Sequence, residues 1–165
     1  MALTYLCVVL ALLLLHDLTG WSEGKGGDMK KLDNPTYKQV CSADTGHAEV
    51  LKVVYDPSKT SYEKLCRLFF EIHDFTQTNG QGPDIGDQYR SEIFYTDENQ
   101  KTTARNLLTE LSNLGYKPAT ALSPAAPFWK AEEYHQDYYG KNGKSPYCHA
   151  RRKVFPVGDD AAAGG

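Results

Sequence analysis

The run from Glu49 to Ile72, EVLKVVYDPSKTSYEKLCRLFFEI, sets the reading of the fold. Its opening, Glu49 to Tyr55, is rich in valine and stops at Asp56-Pro57-Ser58, a turn signal, so it reads as a strand. Thr60 with Glu63 three residues on reads as a capping box. Leu65, Leu68, Phe69 and Ile72 then fall on one face of the helix that box would open.

Downstream, Phe75 to Asp87 is rich in Gly, Asn, Gln and Asp with Pro83 inside it. That composition predicts a long loop, and long loops inside compact domains usually carry function. Arg90 to Tyr95 (RSEIFY) reads as a second strand. Ala104, Leu107, Leu108 and Leu111 mark a second amphipathic helix, closed by Gly115. Thr120 to Leu122 reads as a short strand, and Ala131 to Tyr139 as a third helix ended by Gly140. Strands alternating with helices in a chain of 165 residues imply an α+β two-layer sandwich in one domain.

The composition is that of a soluble core protein: 18 basic against 21 acidic side chains, net charge −3, 41% apolar and 24% charged. Its scattered positive charges argue against nucleic-acid binding. The 4 cysteines include no closely spaced pair, which argues against a zinc ribbon or finger. Tyr5 to Leu15 (YLCVVLALLLL) is unbroken hydrophobe, short for a bilayer span but suited to the apolar core of a secretory signal. Thr19 and Gly20 offer small residues for cleavage. An uncleaved membrane anchor and a stretch buried in the fold are the competing readings, and the signal is preferred. The expected organisation is a signal over 1–20, a glycine-rich charged linker over 21–34, a domain over 35–156 and a loose tail over 157–165. A signal implies the secretory pathway; without one the protein is expected in the cytoplasm.

Several segments are too specific for scaffolding alone. They are Asn34-Pro35-Thr36-Tyr37, Val40 to Glu49 (VCSADTGHAE), Gln81 to Ser91 (QGPDIGDQYRS), Phe128 to Gln136 (FWKAEEYHQ) and Tyr147-Cys148. Together they resemble the peptide methionine sulfoxide reductase A family, in the family's order and at nearly its spacings, from about Gly26 to Cys148. The resemblance implies a ferredoxin-like plait and thioredoxin-dependent reduction of methionine S-sulfoxide, in peptides or as the free amino acid. It implies no bound cofactor, the electrons coming from thioredoxin or another dithiol.

Sulfoxide reduction has definite physical needs. A thiolate attacks the sulfur, an acid protonates the departing oxygen, and a second thiol resolves the sulfenic acid into a disulfide. By resemblance, Glu49 is the carboxyl that hydrogen-bonds and protonates the oxygen, which near neutral pH requires burial to raise its pKa. Tyr37 and Tyr89 match the tyrosines whose hydroxyls share that oxygen. Asp84 matches a loop aspartate that organises the site, and Cys148 matches the resolving cysteine that thioredoxin reduces.

Each residue also has a plainer reading. Glu49 could be a solvated strand end, any two of the 11 tyrosines could be packing residues, and Asp84 could be a turn aspartate after Pro83. His47 and His135 read as structural hydrogen-bonding residues rather than metal ligands. Cys66 reads as a small core residue. Cys41, in the VCS segment, is common at that place in the family without being the nucleophile.

The family's nucleophile lies in a Gly-Cys-Phe-Trp-Gly motif between the first strand and a helix, and this sequence contains no such segment. Cys7 lies near the expected distance from Tyr37, but it sits between Leu6 and Val8, an apolar setting that raises a thiol's pKa. Phe75, Gly80 and Asp87 also depart from the family's usual proline, arginine and threonine. The N-terminal strand and helix are therefore expected to be missing or replaced, and turnover to be impaired. The alternatives are a catalytically silent binder of methionine sulfoxide and a truncated gene product. Three ways remain to cover the core surface so exposed: the N-terminal stretch packs in as a substitute, a partner covers the gap, or the domain is marginal.

Overall fold

A computed structural model describes residues 2–7, 18–23, 32–42, 45–143 and 151–156. In chain order its strands are β1 Ala2–Cys7, β2 Leu18–Glu23, β3 His47–Tyr55, β4 Gly80–Gln81, β5 Asp84–Ile85, β6 Glu92–Tyr95, β7 Ala121–Pro124 and β8 Phe128–Lys130. The helices are α1 Tyr37–Val40, α2 Tyr62–Ile72, α3 Glu98–Asn113 and α4 Tyr138–Asn142. Six strands form one sheet in the order β7-β6-β1-β3-β2-β8, and β4 pairs with β5 as a separate small ribbon. Every pairing in the large sheet is antiparallel except β6 with β7. This is the α+β architecture that the alternation of strand and helix predicts.

The N-terminal apolar segment is where the structure adds most. Ala2–Cys7, the beginning of the expected signal, lies inside the sheet. It pairs with β3 on one side (Ala2↔Tyr55 through Leu6↔Leu51) and with β6 on the other (Tyr5↔Phe94 through Cys7↔Glu92). Trp21 to Glu23, expected to open a linker, belong to β2 and pair with Glu49 to His47. Of the three ways to cover the core, the structure takes the first: the N-terminal stretch packs in. The rest of the expected linker up to residue 31 and the tail 157–165 lie outside the described residues. Among the described residues no helix is long and apolar enough to cross a membrane.

Alternation along β3 sorts its side chains between two cores. Val53, with Leu51 and Tyr55 beside it, packs with Ile93 of β6 and with Phe69, Phe70, Ala104, Leu107 and Leu111 of α2 and α3. Ala48 and Val50 pack on the opposite face with Phe94, Ala125 and Phe128. The two helices are pinned by Arg67, whose guanidinium lies 3.0 Å from Glu110 on α3 and 3.0 Å from Glu63 on its own helix. Val154 and Phe155 return to this core, so the chain stays packed up to the edge of the expected tail.

Three local expectations change. Ser61, not Thr60, caps α2, its hydroxyl accepting the Lys64 N–H at 3.2 Å, while Glu63 is taken up by Arg67. Leu68 is 38% exposed, and Cys66 and Phe70 are fully buried in its place, packed in the core with Phe69. The single helix over Ala131–Tyr139 is instead a 3-10 turn, Glu133–His135, followed by α4, with Asp137 at φ 50° breaking the helical path between them. The second helix ends as expected: Gly115 takes φ 88° and the Tyr116 N–H reaches back to the Leu111 carbonyl at 3.0 Å.

Because β1 fills the gap between β6 and β3, a chain lacking residues 1–20 loses both ladders and half of β2. The expected outcome is loss of several kcal/mol, comparable to the whole stability of a small domain. Urea unfolding followed by circular dichroism checks this; a truncated chain with the full-length midpoint would contradict it.

Candidate active site

Glu49 sits inside β3, two residues from the strand's start, not at a solvated end. It is 7% exposed. Burial, and next the negative charge of Asp84, push its carboxyl up from 4.5 to about 7. A carboxyl so placed holds its proton near neutral pH, which is what a proton donor requires.

Tyr37 opens α1, a single turn anchored from several directions. Pro35 before it is buried, and the Gln39 side-chain oxygen accepts the Thr36 N–H at 2.8 Å. The Tyr37 N–H donates to Glu132 Oε1 at 2.9 Å, and its ring lies 4.8 Å from the His135 ring. Val40 packs with Ala131 and Trp129. The FWKAEEYHQ segment is therefore the bed on which Asn-Pro-Thr-Tyr rests, although 95 residues separate Tyr37 from Glu132.

Asp84 comes from the long loop, on the β4–β5 ribbon, and Tyr89 follows it at the end of a 3-10 turn, Asp87–Tyr89. Gly86 takes φ 150°, a backbone region that only glycine occupies comfortably. A β-carbon there would lie 2.5 Å from Gln88 Oε1. Gln88 is itself buried. Arg90 then ties the loop to the sheet. Its Nε lies 2.7 Å from the fully buried Glu92, and its other nitrogens donate to the Asp87 carbonyl at 2.8 Å and the Gly46 carbonyl at 3.2 Å. Ser123 on β7 donates to the second Glu92 oxygen.

These supports bring four of the five expected residues into one electrostatic cluster. The phenol of Tyr37 is raised above its ordinary range by a hydrogen bond to Cys41, by burial, and by the charges of Cys41, Tyr89 and Glu49. That of Tyr89 is raised by burial and by Glu49, Cys41 and Asp84, against an opposing hydrogen bond from Gln88. Both hydroxyls therefore keep their protons and serve as donors. The fifth residue, Cys148, lies outside the described residues. His47 is buried in β3 and His135 packs between Tyr37 and Tyr134, and among the described residues no group of three or more His, Cys, Asp or Glu could hold a metal. The cluster also contains Cys41, which the sequence reading set aside. Its spacing of four from Tyr37 puts the two on one helical face and was the available signal.

A sequence model of the peptide methionine sulfoxide reductase family matches residues 17–157. A peptide methionine sulfoxide reductase MsrA of Haloquadratum walsbyi is 50% identical over 136 residues, 80% of this chain and 76% of that protein. One of Nautilia profundicola is 50% identical over 115 residues, 70% of this chain and 66% of that protein. The fold superposes on the crystal structure of reduced Mxr1 from Saccharomyces cerevisiae with a TM-score of 0.72 at 38% identity, covering 82% of this chain and 77% of Mxr1. It superposes on Mxr1 in complex with Trx2 with a TM-score of 0.50 at 25% identity, covering 82% and 70%. A mixed sheet of this topology, with these likenesses along most of the chain, defines an oxidoreductase of the methionine sulfoxide reductase class. The chain belongs to the peptide methionine sulfoxide reductase family.

Two outcomes follow from the geometry. The raised Glu49 pKa means that the folded chain binds this proton more tightly than the unfolded one between pH 4.5 and about 7. Its contribution is present in full below that window and is lost as pH rises through it. Glu49→Gln is accordingly expected to be more stable than the parent at about pH 8.5 by about 2–3 kcal/mol, and near parity at about pH 4, by urea unfolding. Arg90→Ala leaves Glu92 buried and unpaired and is expected to cost about 3–5 kcal/mol by the same measurement.

Proposed function

We propose that the Glu49 cluster binds methionine S-sulfoxide and activates it for reduction. Glu49 donates a proton to the sulfoxide oxygen, the hydroxyls of Tyr37 and Tyr89 share that oxygen, and the charge of Asp84 helps keep Glu49 protonated. The observation that carries this reading is a carboxyl buried in β3, pushed up to about 7 by burial and by Asp84, in a chain of the peptide methionine sulfoxide reductase family. As electron density moves onto oxygen, preoriented donors stabilise it without first shedding water. Cys148 is the resolving thiol in this scheme, and a thioredoxin-type dithiol is the reductant; the complex of the related Mxr1 with Trx2 supports that class of partner.

Turnover is expected to be impaired, because the sequence contains no Gly-Cys-Phe-Trp-Gly segment to supply the family's nucleophile. That same absence favours a second reading, a relative that recognises oxidised methionine without reducing it. Calorimetry with a sulfoxide peptide and its thioether counterpart tests recognition: preference for the sulfoxide, lost in Glu49→Gln, is expected. In a reductase assay with dithiothreitol, any turnover is expected to fall as pH rises through about 7 and to drop by about 100-fold or more in Glu49→Gln.

A further inference from the structure

A single helical turn does not hold itself in place. α1 spans only Tyr37–Val40, and the N–H groups that open a helix have no carbonyl within it to bond. The Thr36 hydroxyl before it donates to the Gln39 side-chain oxygen at 2.9 Å. The Tyr37 N–H instead finds Glu132 Oε1 at 2.9 Å, 95 residues away in the chain. Burial does not fix Tyr37 either, for it is 37% exposed. Its ring is met by that of His135, with centroids 4.8 Å apart and planes tilted by 49°. Glu132 and His135 belong to one tight turn, closed by the His135 N–H on the Glu132 carbonyl at 2.9 Å. That turn grips Tyr37 at two points, backbone and ring. Holding the backbone leaves the Glu132 carboxyl short of partners. Its second oxygen, Oε2, is buried with no hydrogen-bond partner among the described residues. An acceptor left so is destabilising, and an apolar side chain at 132 would avoid it. The bond from the Tyr37 N–H is what the carboxyl supplies and an apolar side chain would not.

We infer that Glu132 is a positioning residue for Tyr37: by holding the first N–H of α1, its Oε1 fixes the direction from which the phenol reaches a sulfoxide oxygen. The inference rests on the function proposed above and adds to it a residue that acts only through another. Without the acceptor the turn is free to shift, and a shift of about 1 Å at a hydroxyl is enough to spoil its hydrogen bond to a bound oxygen. The thioether counterpart has no such oxygen, so its binding does not depend on where the phenol points. Loss of Glu132 therefore acts on discrimination between the two forms of methionine. The role needs an oxygen at that place rather than a charge, which separates Glu132→Gln from Glu132→Ala.

The test measures, by calorimetry on the full chain, the Kd of a methionine S-sulfoxide peptide and of its thioether counterpart; their ratio is the sulfoxide preference. Tyr37→Phe is expected to lower the preference about 10-fold, the effect of one hydrogen bond. Glu132→Ala is expected to lower it by a similar factor while thioether affinity stays at the parental value. Glu132→Gln keeps an acceptor and is expected to stay within about 2-fold of the parent. The double variant, Glu132→Ala with Tyr37→Phe, is expected to fall no further than Tyr37→Phe alone, since both changes remove the same interaction. Glu132→Leu takes the place of Glu132→Ala if the latter does not melt like the parent. Four results would each overturn the assignment while leaving the binding site intact: a parental preference in Glu132→Ala, an equal loss in Glu132→Gln, an additive loss in the double variant, or an equal fall in both affinities. The last would mark a merely structural role. A parent with no preference for the sulfoxide would overturn the assignment and the proposed function together.

Discussion

A guanidinium buried where the loop meets the sheet holds the site together. Arg90 engages Glu92 at 2.7 Å, the Asp87 carbonyl at 2.8 Å and the Gly46 carbonyl at 3.2 Å, and so joins β6, the 3-10 turn and the approach to β3. An unpaired charge at that depth is costly, so each partner constrains the others. Tyr89 is the neighbour of Arg90, and Glu49 lies three residues from Gly46. The positions of the phenol and the carboxyl are thus set by one buried ion pair.

The carboxyl is raised for a different reason. Glu49 is held in a strand whose neighbours bury it. Its neutral form is the comfortable one, and Asp84 adds to that preference. The loop that brings Asp84 turns through Gly86, where a side chain would strike Gln88. Local backbone demands and proton chemistry meet in the same few residues.

The N-terminus shows how one composition can serve two purposes. An apolar run ending near small residues meets the requirements of a secretory signal, and the part of it over Ala2–Cys7 meets equally those of an interior strand paired on both edges. Hydropathy cannot separate the two, because both environments exclude water. The register with β3 and β6 is long-range information. Thr60 and Ser61 pose the same problem on a smaller scale: either can cap a helix, and the direction in which the chain leaves β3 decides between them.

From its residues alone the chain determined the strand at Glu49–Tyr55, the helices that follow it and the loop at 75–87, while the segments that resemble a known family singled out Glu49, Tyr37, Tyr89 and Asp84 as the residues of interest. Those are matters of period, turn chemistry and motif, all carried by neighbours in sequence. Only the tertiary structure decided that β1 lies within the sheet, that Glu132 holds α1, and that Glu49 is buried enough to keep its proton. Burial and electric field are sums over atoms brought together from distant parts of the chain, and no local pattern records those sums.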